Sequence, residues 1–103
     1  LNNKLKNKDN FIIYTTDDNN IDVEVYLEDE NLWMTQEQIS KLFDKAKSTI
    51  NEHIKNIYEE GELIEEFTMR KFGISEFSTK PTNYYNLAMI IAIGYRVKSV
   101  RGT

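Results

Sequence analysis

The sequence predicts an α+β domain, a winged helix-turn-helix preceded by an N-terminal β-hairpin. Three stretches predict it. Residues 11–28 hold two β-prone runs around a cluster of turn formers. Residues 35–61, TQEQISKLFDKAKSTINEHIKNIYEEG, hold two apolar stripes at helical spacing with only Asp44-Lys45-Ala46 between them. Residues 67–85 hold two further strand-like runs separated by a loop.

Taken in order, LNNKLKNKDN (1–10) is polar and unpatterned and reads as a flexible tail. FIIYT (11–15) is β-branched and aromatic, and TDDNN supplies turn residues. In the run that follows, Ile21, Val23, Val25 and Leu27 alternate with Asp22, Glu24, Tyr26 and Glu28. That period of two is a half-buried strand with its acids on the wet face. Thr35 and Gln38 have the spacing of a capping box, with Met34 and Ile39 placed for a hydrophobic staple. Ile39, Leu42 and Phe43 give the first helix its apolar face.

The second helix is expected from about Lys47 to Glu60, where Ile50, Ile54, Ile57 and Tyr58 form one stripe. Gly61 suits the left-handed residue after its end, while Glu59 and Glu60 oppose the helix dipole. FTMRKF (67–72) and TNYY (82–85) read as the strands of the wing, joined through GISEFSTKP. Asn86 is a good cap for LAMIIAIGYRV, read as a buried helix because it is longer than a typical strand. Trp33, Phe43, Phe67 and Tyr85 are expected in the core.

A chain of 103 residues is one domain by length, and its start at Leu1 and stop at Thr103 suggest a piece excised from something longer, with residues 11–103 as the domain. There is no cysteine, which removes disulfides and Cys-based metal sites and fits a cytoplasmic protein. The apolar run Leu87 to Ile93 is too short to span a bilayer, and no secretory signal stands at the start. His53 is the only histidine, so a zinc site is not expected, and it reads as a packed or half-exposed residue. No GxGxxG or P-loop is present, and no acid stands beside a motif that would activate it. Neither catalysis, nor a cofactor, nor a small-molecule substrate, nor a membrane is therefore expected.

The net charge of −4 weighs against a nucleic-acid partner, but the charge is polarised along the chain. Residues 9–40 carry nine acids and no base, whereas residues 77–103 carry four bases and no acid. A local basic surface is compatible with the acidic total.

The short joint forces the two helices to cross steeply, so that the second presents its N-terminal half outward. Its face opposite the apolar stripe nominates Ser48, Thr49, Asn51, Glu52 and Lys55 for bases or adjacent phosphates, with Lys45 and Lys47 at the joint suited to phosphates. Arg70, Lys71 and Lys80 of the wing would reach phosphates beside the groove. Each group has a plainer reading. Ser48, Glu52 and Lys55 also fit an ordinary solvated face, and the wing cations fit loop charges kept for solubility.

TQEQISKLFDKAKSTINEHIKNIYEEGEL and YYNLAMIIAIGYRVKSVRGT together resemble the N-terminal domain of the RhuM-like virulence-associated proteins of bacteria. The most specific parts are NLAMIIAIGYRVKSVRGT (86–103) and HIKNIYEEGEL (53–63), and the resemblance runs from about Phe11 to Thr103. It implies a DNA-binding domain that precedes further sequence. An Asp-Gly wing turn is implied too, where this chain has GISEFSTKPT. Double-stranded DNA is thus the expected partner, with a homodimer as a further expectation. The alternative is a winged-helix module used for protein association or dimerisation, with the acidic N-terminal hairpin as its contact surface.

Overall fold

The computed structural model describes residues 10–17, 20–72 and 82–102. The tail reading for residues 1–9, the tip of the wing and Lys80 lie outside the described residues. The expected α+β class is found, built on one antiparallel five-stranded sheet with helices against one face. The chain runs through β1 (Phe11–Thr15), β2 (Asp22–Glu28), β3 (Asn31–Thr35), α1 (Gln36–Phe43), α2 (Lys47–Glu59), α3 (Glu65–Thr68), β4 (Met69–Phe72), β5 (Thr82–Asn86) and α4 (Leu87–Gly102). The strands lie in the order β1-β2-β3-β5-β4.

Strand β3 was not expected from the sequence, and it changes the architecture. It pairs with β2 through Tyr26↔Trp33 and with β5 through Met34↔Tyr85, so the hairpin and the wing strands form one sheet. Asp29 and Glu30 alone connect β2 to β3, and both have positive φ, 55° and 56°. Positive φ at both central residues is the mark of the type I′ hairpin turn, which usually announces itself by Asn-Gly or Asp-Gly.

Because side chains alternate along a strand, the sheet has two packed faces. Val23, Val25, Met34 and Tyr85 point toward the helices and join Ile39, Ile50, Ile54, Ile57, Met89 and Ile93 in the main core. Tyr26, Trp33 and Tyr84, with Phe11 against them, form a second cluster on the back. Tyr26 holds a position that the alternation assigns to the wet face, yet it is buried. Its ring lies 5.0 Å from that of Phe11 and 5.9 Å from that of Tyr84. Trp33 is core as expected, but on this second face.

The capping box is half present. Thr35 Oγ1 accepts from the Gln38 N–H at 3.2 Å. The Gln38 side chain does not return to the cap. Its Oε1 accepts from the Glu24 N–H at 2.7 Å and ties α1 to β2. Asn86 caps α4 as expected, accepting from the Met89 N–H at 3.3 Å, and its amide nitrogen donates to the Phe67 carbonyl at 3.2 Å. Gly94 admits a close approach, since a Cβ there would stand 3.2 Å from the Phe43 ring.

Residues 67–72 are not all strand. Phe67 and Thr68 belong to the single turn α3, and β4 begins at Met69. Thr68 is buried and its hydroxyl donates to the Ile64 carbonyl at 2.9 Å while also bonding Tyr58, which stabilises a turn in place of a strand. The turn carries Phe67 out of the core to 67% exposure, contrary to expectation.

Asn86 is buried with both ends of its amide occupied, so Asn86→Ala removes a helix cap and orphans a carbonyl together. Equilibrium urea unfolding should show a loss of about 2 kcal/mol, with Asn86→Asp recovering part of it through the cap.

Candidate nucleic-acid interface

The joint between α1 and α2 is made without glycine. Asp44 takes the left-handed conformation at φ 56°, one of the few conformations outside the usual regions that aspartate tolerates well. Its N–H reaches the Lys41 carbonyl at 3.2 Å, and the Lys45 N–H reaches the Ser40 carbonyl at 3.0 Å. Those two bonds are the pair that defines a Schellman motif. They stop α1 sharply and turn the chain into α2. Gln36, at the start of α1, donates from Nε2 to the Lys47 carbonyl at 3.0 Å and fixes the first turn of α2 against α1.

The second helix therefore stands apart from the first, with Ile50, Ile54 and Ile57 buried beneath it. Lys45, Lys47, Ser48, Thr49, Asn51, Glu52 and Lys55 are all exposed. Ala46 precedes the helix and makes no side-chain cap bond. The start of α2 thus has no side-chain cap and stands beside two exposed lysines, a local field that suits a phosphate.

The wing cations separate by strand register. Lys71 pairs with Asn83, and Asn83 alternates with the back-facing Tyr84 onto the helix side of the sheet. Asn83 and Thr82 line a shallow groove with Gln36, Glu37 and Lys47, which brings the wing strands and the start of α2 to one side of the molecule. Arg70 points the other way. Its guanidinium is bonded to Asp29 and lies 4.7 Å above the Trp33 ring. The arginine clamps β4 to the β2–β3 turn, and the structure does not bring it together with the α2 lysines.

Acids also border the site. Glu52 lies on the outer face of α2, and Glu24 and Glu37 line the groove beside Lys47. At the far end of α2, Glu60 and Glu62 hold Arg96 at 2.7 and 2.9 Å. That pairing accounts for an acid where the dipole disfavours one; nothing in the structure explains Glu59. Sequence reasoning placed the joint at Asp44-Lys45-Ala46 but missed Gln36 and the left-handed conformation of Asp44. Asp44 carried a signal, because Asp and Asn are the non-glycine residues most often left-handed; Gln36 carried none.

Comparison with family models, curated proteins and solved structures finds no match to this chain.

His53 is half-buried on α2 behind this face. Burial, and then the positive charge of Arg96, lower its pKa below the ordinary value of 6.5. The unfolded chain accordingly takes up the proton first, so this group's contribution to stability is intact above pH 6.5 and is lost as the pH falls toward the lowered value. Urea midpoints measured between pH 7.5 and 5 should decline, and His53→Gln should flatten that part of the profile, well above the carboxylate range at about 4.

Proposed function

We propose that the domain is a winged helix-turn-helix that binds duplex DNA, as a regulator or targeting domain of a bacterial RhuM-like protein. The observation that carries this reading is the outward presentation of the first two turns of α2, beyond a sharp Schellman joint and on the same side as Lys71 and Asn83. The chain order supports it too. A strand, two helices, the single turn α3 and a hairpin follow one another from β3 to β5, and the returning strand pairs with the first.

In this reading α2 enters the major groove, which admits one helix. Ser48, Thr49 and Asn51 address base edges, asparagine suiting adenine. Glu52 accepts from a cytosine amino group, a contact that turns an otherwise repulsive charge into selectivity. Lys45, Lys47, Lys55 and Lys71 take phosphates. Arg70 is assigned to the sheet rather than the wing contact because Asp29 and Trp33 already occupy it.

Fluorescence anisotropy against mixed duplexes at several salt concentrations tests the reading. With four lysine–phosphate contacts the slope of log affinity against log salt should be about −3 to −4, roughly a hundredfold loss between 50 and 200 mM salt. Lys47→Glu and Lys55→Glu should each weaken binding about tenfold and flatten the slope. Arg70→Gln should leave affinity nearly unchanged while lowering stability by about 1 kcal/mol. A chain indifferent to duplex at low salt would favour the association reading instead.

A further inference from the structure

Helix α4 is apolar on two sides, and only one of them is used by the fold. Met89, Ile90, Ala92 and Ile93 are buried in the main core. On the other side Leu87, Ile91 and Tyr95 follow at intervals of four and are 42%, 49% and 71% exposed, with Ala88 and Lys98 exposed on the same stripe. A helix of a single domain normally keeps polar residues there. The stripe from Leu87 to Lys98 is about 17 Å long.

Its two ends differ in charge. Beside the N-terminal end stands the β2–β3 turn, whose Glu28, Asp29 and Glu30 line an open cavity with Leu87, Ala88 and Ile91. Glu28 accepts from the Tyr26 hydroxyl and Asp29 is bonded to Arg70, which leaves Glu30 as the outward acid of the turn among the described residues. Toward the other end the chain after Leu87 contains no acid at all, and Lys98 is exposed.

We propose that this face of α4 is the interface of a two-fold symmetric dimer of the chain, formed by antiparallel packing of α4 on α4 of a second copy. The spacing fits that symmetry. With Ile91 on the axis, Leu87 of one copy meets Tyr95 of the other, because both lie four residues from the centre. The acidic turn of each copy then lies beside the basic end of its partner's helix, so that Glu30 faces Lys98 twice across the interface. A self-complementary patch of this kind is what a closed two-fold contact requires. Parallel packing would set like charges together and is disfavoured. A stripe of this length is short for a standard interface, so a weak, reversible dimer is expected. Strand β1 also exposes Ile12, Ile13 and Tyr14 at the sheet edge, but it carries no charge that would select a partner. The dimer stands independently of DNA binding.

Sedimentation equilibrium of the whole chain from low micromolar to several hundred micromolar tests it. A monomer–dimer equilibrium is expected. Ile91→Glu should weaken it by about tenfold or more, with unchanged circular dichroism because the residue is half exposed. Glu30→Lys and Lys98→Glu should each weaken self-association, since each places like charges together twice. An equimolar mixture of those two variants should associate about as strongly as the parent chain, because both contacts of the mixed dimer then pair opposite charges, one in the parent's sense and one reversed. A monomer at all concentrations overturns the proposal, whatever else covers the stripe. So does a dimer that Ile91→Glu leaves intact, or a mixture no tighter than its separate components.

Discussion

The structure depends on the pairing of β3 along both of its edges. With β2 on one side and β5 on the other, this five-residue strand makes one sheet of what would otherwise be two separate hairpins. A lone two-stranded hairpin is marginal in water, whereas a sheet of three or more strands with a packed face is stable. Consecutive residues of β3 serve opposite faces. Trp33 anchors the back cluster, Met34 the main core, and Thr35 caps the helix that follows. Asn31, at its start, accepts from its neighbour's N–H and from the first N–H of α4. Moving this strand by one residue would exchange Trp33 and Met34 between faces and misplace the cap at once.

Much of this was readable from local pattern, and the gaps have physical causes. The alternation of β2, the stripe of α2 and the Asn86 cap each declare themselves within a few residues, and each is found. Strand β3 does not. Five residues are too few to establish a period, and its turn uses Asp29-Glu30 in a conformation that normally favours glycine. Tyr26 shares the register of Asp22, Glu24 and Glu28, and alternation says which face a residue occupies, not whether something covers that face. Phe11, Trp33 and Tyr84 cover it from three other strands. Phe67 is expected in the core as an aromatic within the strand-like run FTMRKF. The Tyr58–Thr68 and Thr68–Ile64 bonds, which tip it into a turn, involve a residue ten positions away.

The candidate interface divides in the same way. The exposed residues of α2 follow from helical geometry once Ile50, Ile54 and Ile57 are assigned inward. Which wing cations can join them follows only from strand register. Neighbouring residues of β4 project to opposite faces, so Lys71 shares the side of α2 and Arg70 does not. Composition places those two residues in one basic pair; the sheet separates them.

The acidic total is compatible with a phosphate-binding face because most of the acid lies elsewhere. Apart from Glu24, the exposed acid of β2 is Asp22, and β2 is two strands away from β5, about 10 Å at ordinary strand spacing, which is already beyond a Debye length in physiological salt. Glu60 and Glu62 are spent on Arg96. What remains near the lysines is Glu24, Glu37 and Glu52, enough to make the margin narrow for a single copy. A narrow margin does not preclude specific binding, but it shifts the requirement from charge to geometry. Two copies joined through α4 would bring a second α2 to the same duplex at high effective concentration, multiplying a weak single contact without any added positive charge.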